Sequence, residues 1–135
     1  MSPLRNCTPR PMKKRIYIAD DEGLVAEFFR GYLEQKGFQV RTQTQSQKVL
    51  QEITDYHPDV IFLDYRMSPL TGVDILERMK ARRLDIPVVM MSAYKRREGV
   101  FEMKRLGAAE YIGKPFDLQE IDEIVSRLTS QASPQ

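Results

Sequence analysis

The residues best equipped for chemistry are the acidic triplet Asp20, Asp21 and Glu22, then Asp64, Ser92, and Lys114 with Pro115 behind it. Each stands directly after a short apolar run. Carboxylates gathered in one place repel each other and call for a cation, and hard oxygen donors suit Mg2+ or Mn2+. A site with few protein ligands leaves coordination positions open to phosphate oxygens and water. A lysine ammonium nearby pairs with a carboxylate when the site is empty and with a phosphoryl oxygen when it is filled, while a serine hydroxyl donates to another phosphoryl oxygen. Asp64 is then the candidate nucleophile, because carboxylates accept phosphoryl groups as acyl phosphates. The cation and the lysine neutralise the charge that develops during transfer.

Taken singly, each of these residues has an ordinary structural explanation. An acidic triplet before a helix is favoured by the helix dipole, Asp64 suits a turn, Ser92 alone means little, and Lys114–Pro115 reads as loop chemistry. The ordinary explanations fail together, because independent accidents would have to fall at one edge of one fold in the right order.

That edge follows from the pattern of elements. Apolar runs at 15–19, 60–63 and 88–91 are about a strand long and apolar at nearly every position. Such continuity predicts strands buried on both faces, as in a parallel sheet. Weaker strands fit 38–41 and 110–113. Helical stripes lie between them: Val25, Phe28, Phe29, Tyr32 and Leu33, stopped at Gly37; Val49, Leu50 and Ile53, with Ser46 as cap; Val73, Leu76 and Met79; Val100, Met103 and Leu106, stopped at Gly107; and Leu118, Ile121, Ile124, Val125 and Leu128, opened by an Asp117–Glu120 capping box. Strand and helix therefore alternate through five units. The expectation is an α/β fold, a five-stranded parallel sheet in a doubly wound (βα)5, flavodoxin-like three-layer sandwich. Right-handed crossovers put the loops after the strands at one edge, where open α/β sheets bind ligands.

The chain has 135 residues and a net charge of +2, which fits one domain and points to neither nucleic acid nor membrane. Its single cysteine, Cys7, forms no internal disulfide, and one histidine, His57, rules out a multi-histidine metal centre. No apolar run is long enough to span a bilayer, the first residues lack the core of a signal peptide, and a cytoplasmic location is the expectation. Residues 1–14 read as a flexible basic, proline-rich arm, 15–129 as the domain, and 130–135 as a tail or the start of a linker. His57 reads as a surface residue at a helix end. Met67, Met79, Met90, Met91 and Met103 read as core filler.

The segments IYIADDE, DVIFLDYRM, VVMMSAY and AAEYIGKPF resemble the response-regulator receiver family of two-component signalling, and the resemblance runs from about Lys14 to Leu128. The layout is most similar to single-domain relay receivers of the sporulation type. The resemblance implies that Asp64 is the phosphoacceptor. It implies Mg2+ held by Asp20, Asp21, Asp64 and the backbone carbonyl of Arg66. Ser92 and Tyr111 would be the switch pair, Lys114 the partner of the phosphoryl oxygens, Pro115 the family's proline, often in a cis peptide bond, and Gly72 the family's loop glycine. The family usually has Met-Pro where this chain has Met67-Ser68, with Pro69 one place later. In this family the positions of Arg66 and Tyr94 flank the acyl phosphate, and two bulky side chains there imply slow self-dephosphorylation. An unchanged phosphoryl lifetime in Arg66→Ala and Tyr94→Ala would count against that expectation.

The partners so implied are a histidine kinase or histidine phosphotransferase, and a downstream protein on the face of the fourth helix, fifth strand and fifth helix. That face carries Lys95, Arg96, Arg97, Lys104 and Arg105. No membrane and no direct nucleic-acid contact is expected. The leading expectation is a stand-alone receiver that catalyses only its own phosphorylation and dephosphorylation and is not a conventional turnover enzyme. The alternative is a receiver fragment of a longer DNA-binding response regulator. An aspartyl-phosphate hydrolase is disfavoured, because such enzymes usually place an acid/base carboxylate two residues beyond the nucleophile, where this chain has Arg66. A degenerate scaffold is disfavoured by the intact set of Asp20, Asp21, Asp64, Ser92 and Lys114.

Overall fold

The computed structural model describes residues 13–93 and 97–130. Five strands alternate with five helices: β1 (Arg15–Ala19), α1 (Gly23–Gln35), β2 (Gln39–Gln43), α2 (Ser46–Tyr56), β3 (Val60–Asp64), α3 (Gly72–Ala81), β4 (Val88–Ser92), α4 (Arg97–Arg105), β5 (Glu110–Gly113) and α5 (Leu118–Ser130). All neighbouring strands run parallel, in the order β2-β1-β3-β4-β5. This is the doubly wound α/β sandwich expected from the apolar runs, and β1 and β5 have the expected bounds.

Alternation along each strand splits the interior into two layers. Tyr17, Ala19, Ile61, Leu63, Val88 and Met90 pack with α2, α3 and Met103 of α4. Ile16, Ile18, Val60, Phe62, Val89 and Met91 pack with α1 and α5. The central strands β3 and β4 are buried at every position, which is why they read as unbroken apolar runs. Met67, Met79, Met90, Met91 and Met103 are all buried, as core filler should be. His57 is exposed and ends α2 in a left-handed conformation.

Three local expectations need correction. The second strand is Gln39–Gln43 rather than 38–41, because an edge strand half open to water carries little apolar pattern. Phe28 is 60% exposed and Ala26 takes its place inside, since the buried stripe of α1 runs Ala26, Phe29, Leu33. Ser46 does not cap α2 with its side chain: Gln45 is the N-cap, and the buried Ser46 hydroxyl accepts the Leu70 N–H at 3.0 Å.

The stop at Gly37 works through paired bonds from the Phe38 N–H to the Leu33 carbonyl and from the Gly37 N–H to the Glu34 carbonyl, with Gly37 at φ +98°. That is a Schellman ending, which needs the left-handed residue glycine supplies. At the start of α5 the Asp117 carboxylate accepts the Gln119 N–H at 3.0 Å. Because each helix runs back against its strand, β1 begins and α5 ends at the edge opposite the loops that follow the strands. Leu128 lines a cleft there with Pro58, Asp59 and Pro87.

Candidate phosphoryl-transfer site

Register decides what meets at the loop edge. Ala19 pairs with Leu63, so Asp20 and Asp64 leave β1 and β3 side by side. Ser92 pairs with Gly113, so Lys114 leaves β5 beside it. The parallel ladders run one step past the strands: the Asp20 N–H donates to the Gln43 carbonyl at 3.1 Å, Tyr65 N–H to Met91 carbonyl at 2.8 Å, and Lys114 N–H to Ser92 carbonyl at 2.8 Å. These bonds hold the functional positions to the rigid sheet.

One carboxylate oxygen each from Asp20, Asp21 and Asp64 lies within 4.8 Å of the others. Asp20 is fully buried and Asp64 nearly so, while Asp21 is exposed. Among the described residues no other group of three metal-capable side chains lies this close. Asp20 is satisfied on both oxygens: one accepts the Glu22 N–H at 2.9 Å, and the other accepts Lys114 Nζ at 2.8 Å. The Lys114 ammonium also lies 3.6 Å from Asp64 and 3.6 Å from Glu22. The acidic triplet does serve α1, as Glu22 is its N-cap residue by backbone, without a side-chain cap bond.

Electrostatics follow from this crowding. Burial and then the neighbouring Asp20 charge push the Asp64 carboxyl from its ordinary 3.8 to about 7; Lys114 and the Arg66 N–H pull the other way. Burial is the largest influence on Lys114 and would lower it. The bond to Asp20 and the charges of Asp64, Asp20 and Glu22 outweigh that, so its ammonium is held above the ordinary value. A buried carboxylate cluster with one ammonium is short of positive charge, and three oxygen ligands around an open position match a small hard cation.

Ser92 is buried at the end of β4, on the strand parity of Val88 and Met90, which face the α2–α3–α4 layer. Tyr111 on β5 is half-buried and packs against that same layer. Arg66 is exposed, on the rim of an open cleft of about 630 Å3 that Asp21, Ser68, Thr71 and Glu102 also line. Tyr94, Lys95 and Arg96 lie outside the described residues, as do residues 1–12 and 131–135 of the arm and tail. The Lys114–Pro115 peptide is cis, as the resemblance implies, and so is Ser68–Pro69, where the Met-Pro pattern is displaced.

Two supports of the site gain their physical reason only from the fold, a helix cap that the sequence reading missed and a glycine that it named by resemblance alone. Thr71 and Asp74 form a reciprocal capping box on α3, with the Asp74 N–H reaching Thr71 Oγ1 at 3.1 Å and the Thr71 N–H reaching Asp74 Oδ2 at 3.0 Å. The T-x-x-D spacing was visible and would have found it. Gly72 is the second. A Cβ there would lie 2.5 Å from the Asp64 carbonyl oxygen and 2.9 Å from Met90 Cε. Only glycine lets α3 start this close to the end of β3.

Comparison with known proteins agrees with this geometry. The response regulator receiver domain model matches residues 16–126. Sporulation initiation phosphotransferase F of Bacillus subtilis is 31% identical over 116 residues, covering 86% of this chain and 94% of that protein. Regulatory protein AtoC of Escherichia coli is 36% identical over 84% of this chain, which spans only 24% of its length. Among solved structures, the receiver domain of Francisella response regulator 1452 superposes with a TM-score of 0.86 at 26% identity, covering 90% of this chain and all of that one. The receiver domain of NtrX from Brucella abortus gives 0.77 at 30% identity, covering 84% and 96%. With the family model spanning most of the chain and a relative of nearly the same length, this chain belongs to the response-regulator receiver family.

Proposed function

We propose that the chain takes a phosphoryl group from a histidine kinase or histidine phosphotransferase onto Asp64 and signals through protein contacts that depend on it. The carrying observation is the trio of carboxylates with Lys114 Nζ at 2.8 Å from Asp20 and 3.6 Å from Asp64. An Asp64 carboxylate oxygen attacks the phosphorus of the donor. A P–O bond forms, the P–N bond to the donor imidazole breaks, and the imidazole leaves with the bonding pair and takes up a proton. Asp20, Asp21, Asp64 and the backbone carbonyl of Arg66 would hold Mg2+ (or Mn2+). Bound there, the ion supplies charge neutralisation for the phosphoryl oxygens.

This chain's residues do the rest. Lys114, already within reach of Asp64, turns from the carboxylates to a phosphoryl oxygen, and the Ser92 hydroxyl donates to another. Ser92 and Tyr111 share the strand face toward α4, and Tyr111 stands on the edge strand β5, which has α4 over one face and α5 over the other, so their movement is carried to α4, β5 and α5. That face, with Lys104 and Arg105 exposed on α4, is the proposed surface for a downstream partner. Turnover of external substrates is not part of this reading, because Arg66 stands where a hydrolase would need a carboxylate. The reading places the chain in the cytoplasm with its donor; among the described residues no helix is long and apolar enough to cross a membrane.

A relay role is supported by the relative named as a phosphotransferase, whose length this chain nearly spans. The alternative, the receiver of a longer DNA-binding regulator, is supported by relatives such as the phosphate regulon transcriptional regulatory protein PhoB of Pseudomonas aeruginosa, 32% identical, of which the chain spans 48%. The length of the native gene product decides between them. Incubation with Mg2+ and acetyl phosphate, followed by intact mass, tests the acceptor. The expected result is one added phosphoryl group, abolished in Asp64→Asn and by chelation; modification of the Asn variant to the same extent would overturn it.

A further inference from the structure

The loop from β3 to α3 carries Arg66, and three fastenings fix its course. At one end the Gly72 N–H donates to the Tyr65 carbonyl at 3.1 Å, closing the loop on itself. In the middle Met67 is buried in the same core cluster as Val49 and Leu50 of α2. On the far side the Leu70 N–H donates to Ser46 Oγ at 3.0 Å, across 24 residues of sequence. Ser46 is fully buried and Leu70 half-buried, so the acceptor end of this bond is closed to water. The hydroxyl stands in the first turn of α2, yet it is spent on the loop and not on the helix, whose N-cap makes no side-chain bond.

We propose that Ser46 is a positioning residue for the cation site, its hydroxyl holding the β3–α3 loop where the Arg66 carbonyl can serve as a ligand. This rests on the reading of Asp20, Asp21, Asp64 and Arg66 as a Mg2+ site. Ser46 touches neither ion nor phosphoryl group and acts through the loop alone. Groups that orient metal ligands from outside the coordination sphere commonly govern affinity as strongly as some ligands do. Removing the hydroxyl leaves the Leu70 N–H without a buried acceptor and lets the loop drift from the carboxylates.

The test uses the whole chain and two readouts, Mg2+ titration followed through the amide resonances of Asp20, Asp21 and Arg66, and hydrogen exchange at the Leu70 amide. Ser46→Ala is expected to weaken Mg2+ binding about tenfold, the low end for such partners, and to speed exchange at Leu70. Thr54→Ala removes a hydroxyl that bonds the Leu50 carbonyl within α2 at 2.8 Å, and it is expected to leave Mg2+ affinity within about twofold of the original. Unchanged affinity in Ser46→Ala, unchanged Leu70 exchange, or equal weakening in Thr54→Ala would each overturn the proposal. If Ser46→Ala does not fold, Ser46→Gly is read the same way. A wild-type chain whose three amides ignore Mg2+ would sink the underlying site reading, a result distinct from a normal wild type beside an unaltered Ser46 variant.

Discussion

Asp64 is held in surroundings that resist its charge until a cation arrives. Its folded value of about 7, against an ordinary 3.8, means that the native state binds more protons than the unfolded chain between those limits. Stability of the metal-free protein should therefore fall as pH rises from about 4 to 7 and level off above. Asp64→Asn removes the penalty. It is expected to raise metal-free stability on the order of 2 kcal/mol at pH 8 and by less than half as much at pH 5. Urea unfolding of both proteins at the two pH values, with chelator present, checks this; equal effects at both would argue against a buried, proton-retaining carboxyl. The place of this carboxylate at the loop edge was legible because it closes a buried apolar run, as the last residue of β3. Its raised affinity for protons was not, because that depends on Asp20 arriving from β1, which sequence order alone does not place at a distance.

At the scale of elements, legibility tracked burial. β1, β3 and β4 announced themselves because both faces are covered, so nearly every residue is apolar. The edge strand β2, with Gln39, Arg41 and Gln43 among its five residues, carries no such mark, and its bounds slipped. In α1 the adjacent Phe28 and Phe29 look alike in sequence, but the roughly 100° of rotation between successive helical residues separates water from core. Phe29 meets Phe62 edge-on at 4.7 Å and Phe116 at 5.2 Å. Phe29→Ala should cost about 3–5 kcal/mol and Phe28→Ala less than about 0.5 kcal/mol, measured by denaturant titration. The junction of β3 with α3 offers a sharper case. Gly72→Ala is expected to cost about 3 kcal/mol, the upper end for overpacking, since the Asp64 carbonyl it strikes is backbone and cannot swing aside. The glycine is plain in the sequence, but the atom it makes room for is not. The same is true of Ser46, whose residue type suggests a local cap while its partner Leu70 lies on another loop.

For the whole molecule, a cation bound only by the folded form must raise overall stability. At a free Mg2+ concentration about a hundred times the dissociation constant the gain should be about 2.7 kcal/mol. It should be larger at pH 8 than at pH 5, where the proton retained by Asp64 competes with the ion. Differential scanning calorimetry with and without Mg2+ at the two pH values reads this, and an absent or pH-independent shift would weigh against the site.

The winding that collects the carboxylates also sends the start of β1 and the end of α5 to the far edge, where Leu128 and Asp59 share a cleft. An affinity tag, a surface tether or a fluorescent reporter joined directly at Lys13 or Ser130 is thus attached at the pole remote from Asp64. Immobilised through such a handle, the protein would present the Asp64 edge outward, and candidate donors could be sampled on a chip without the anchor shadowing that edge.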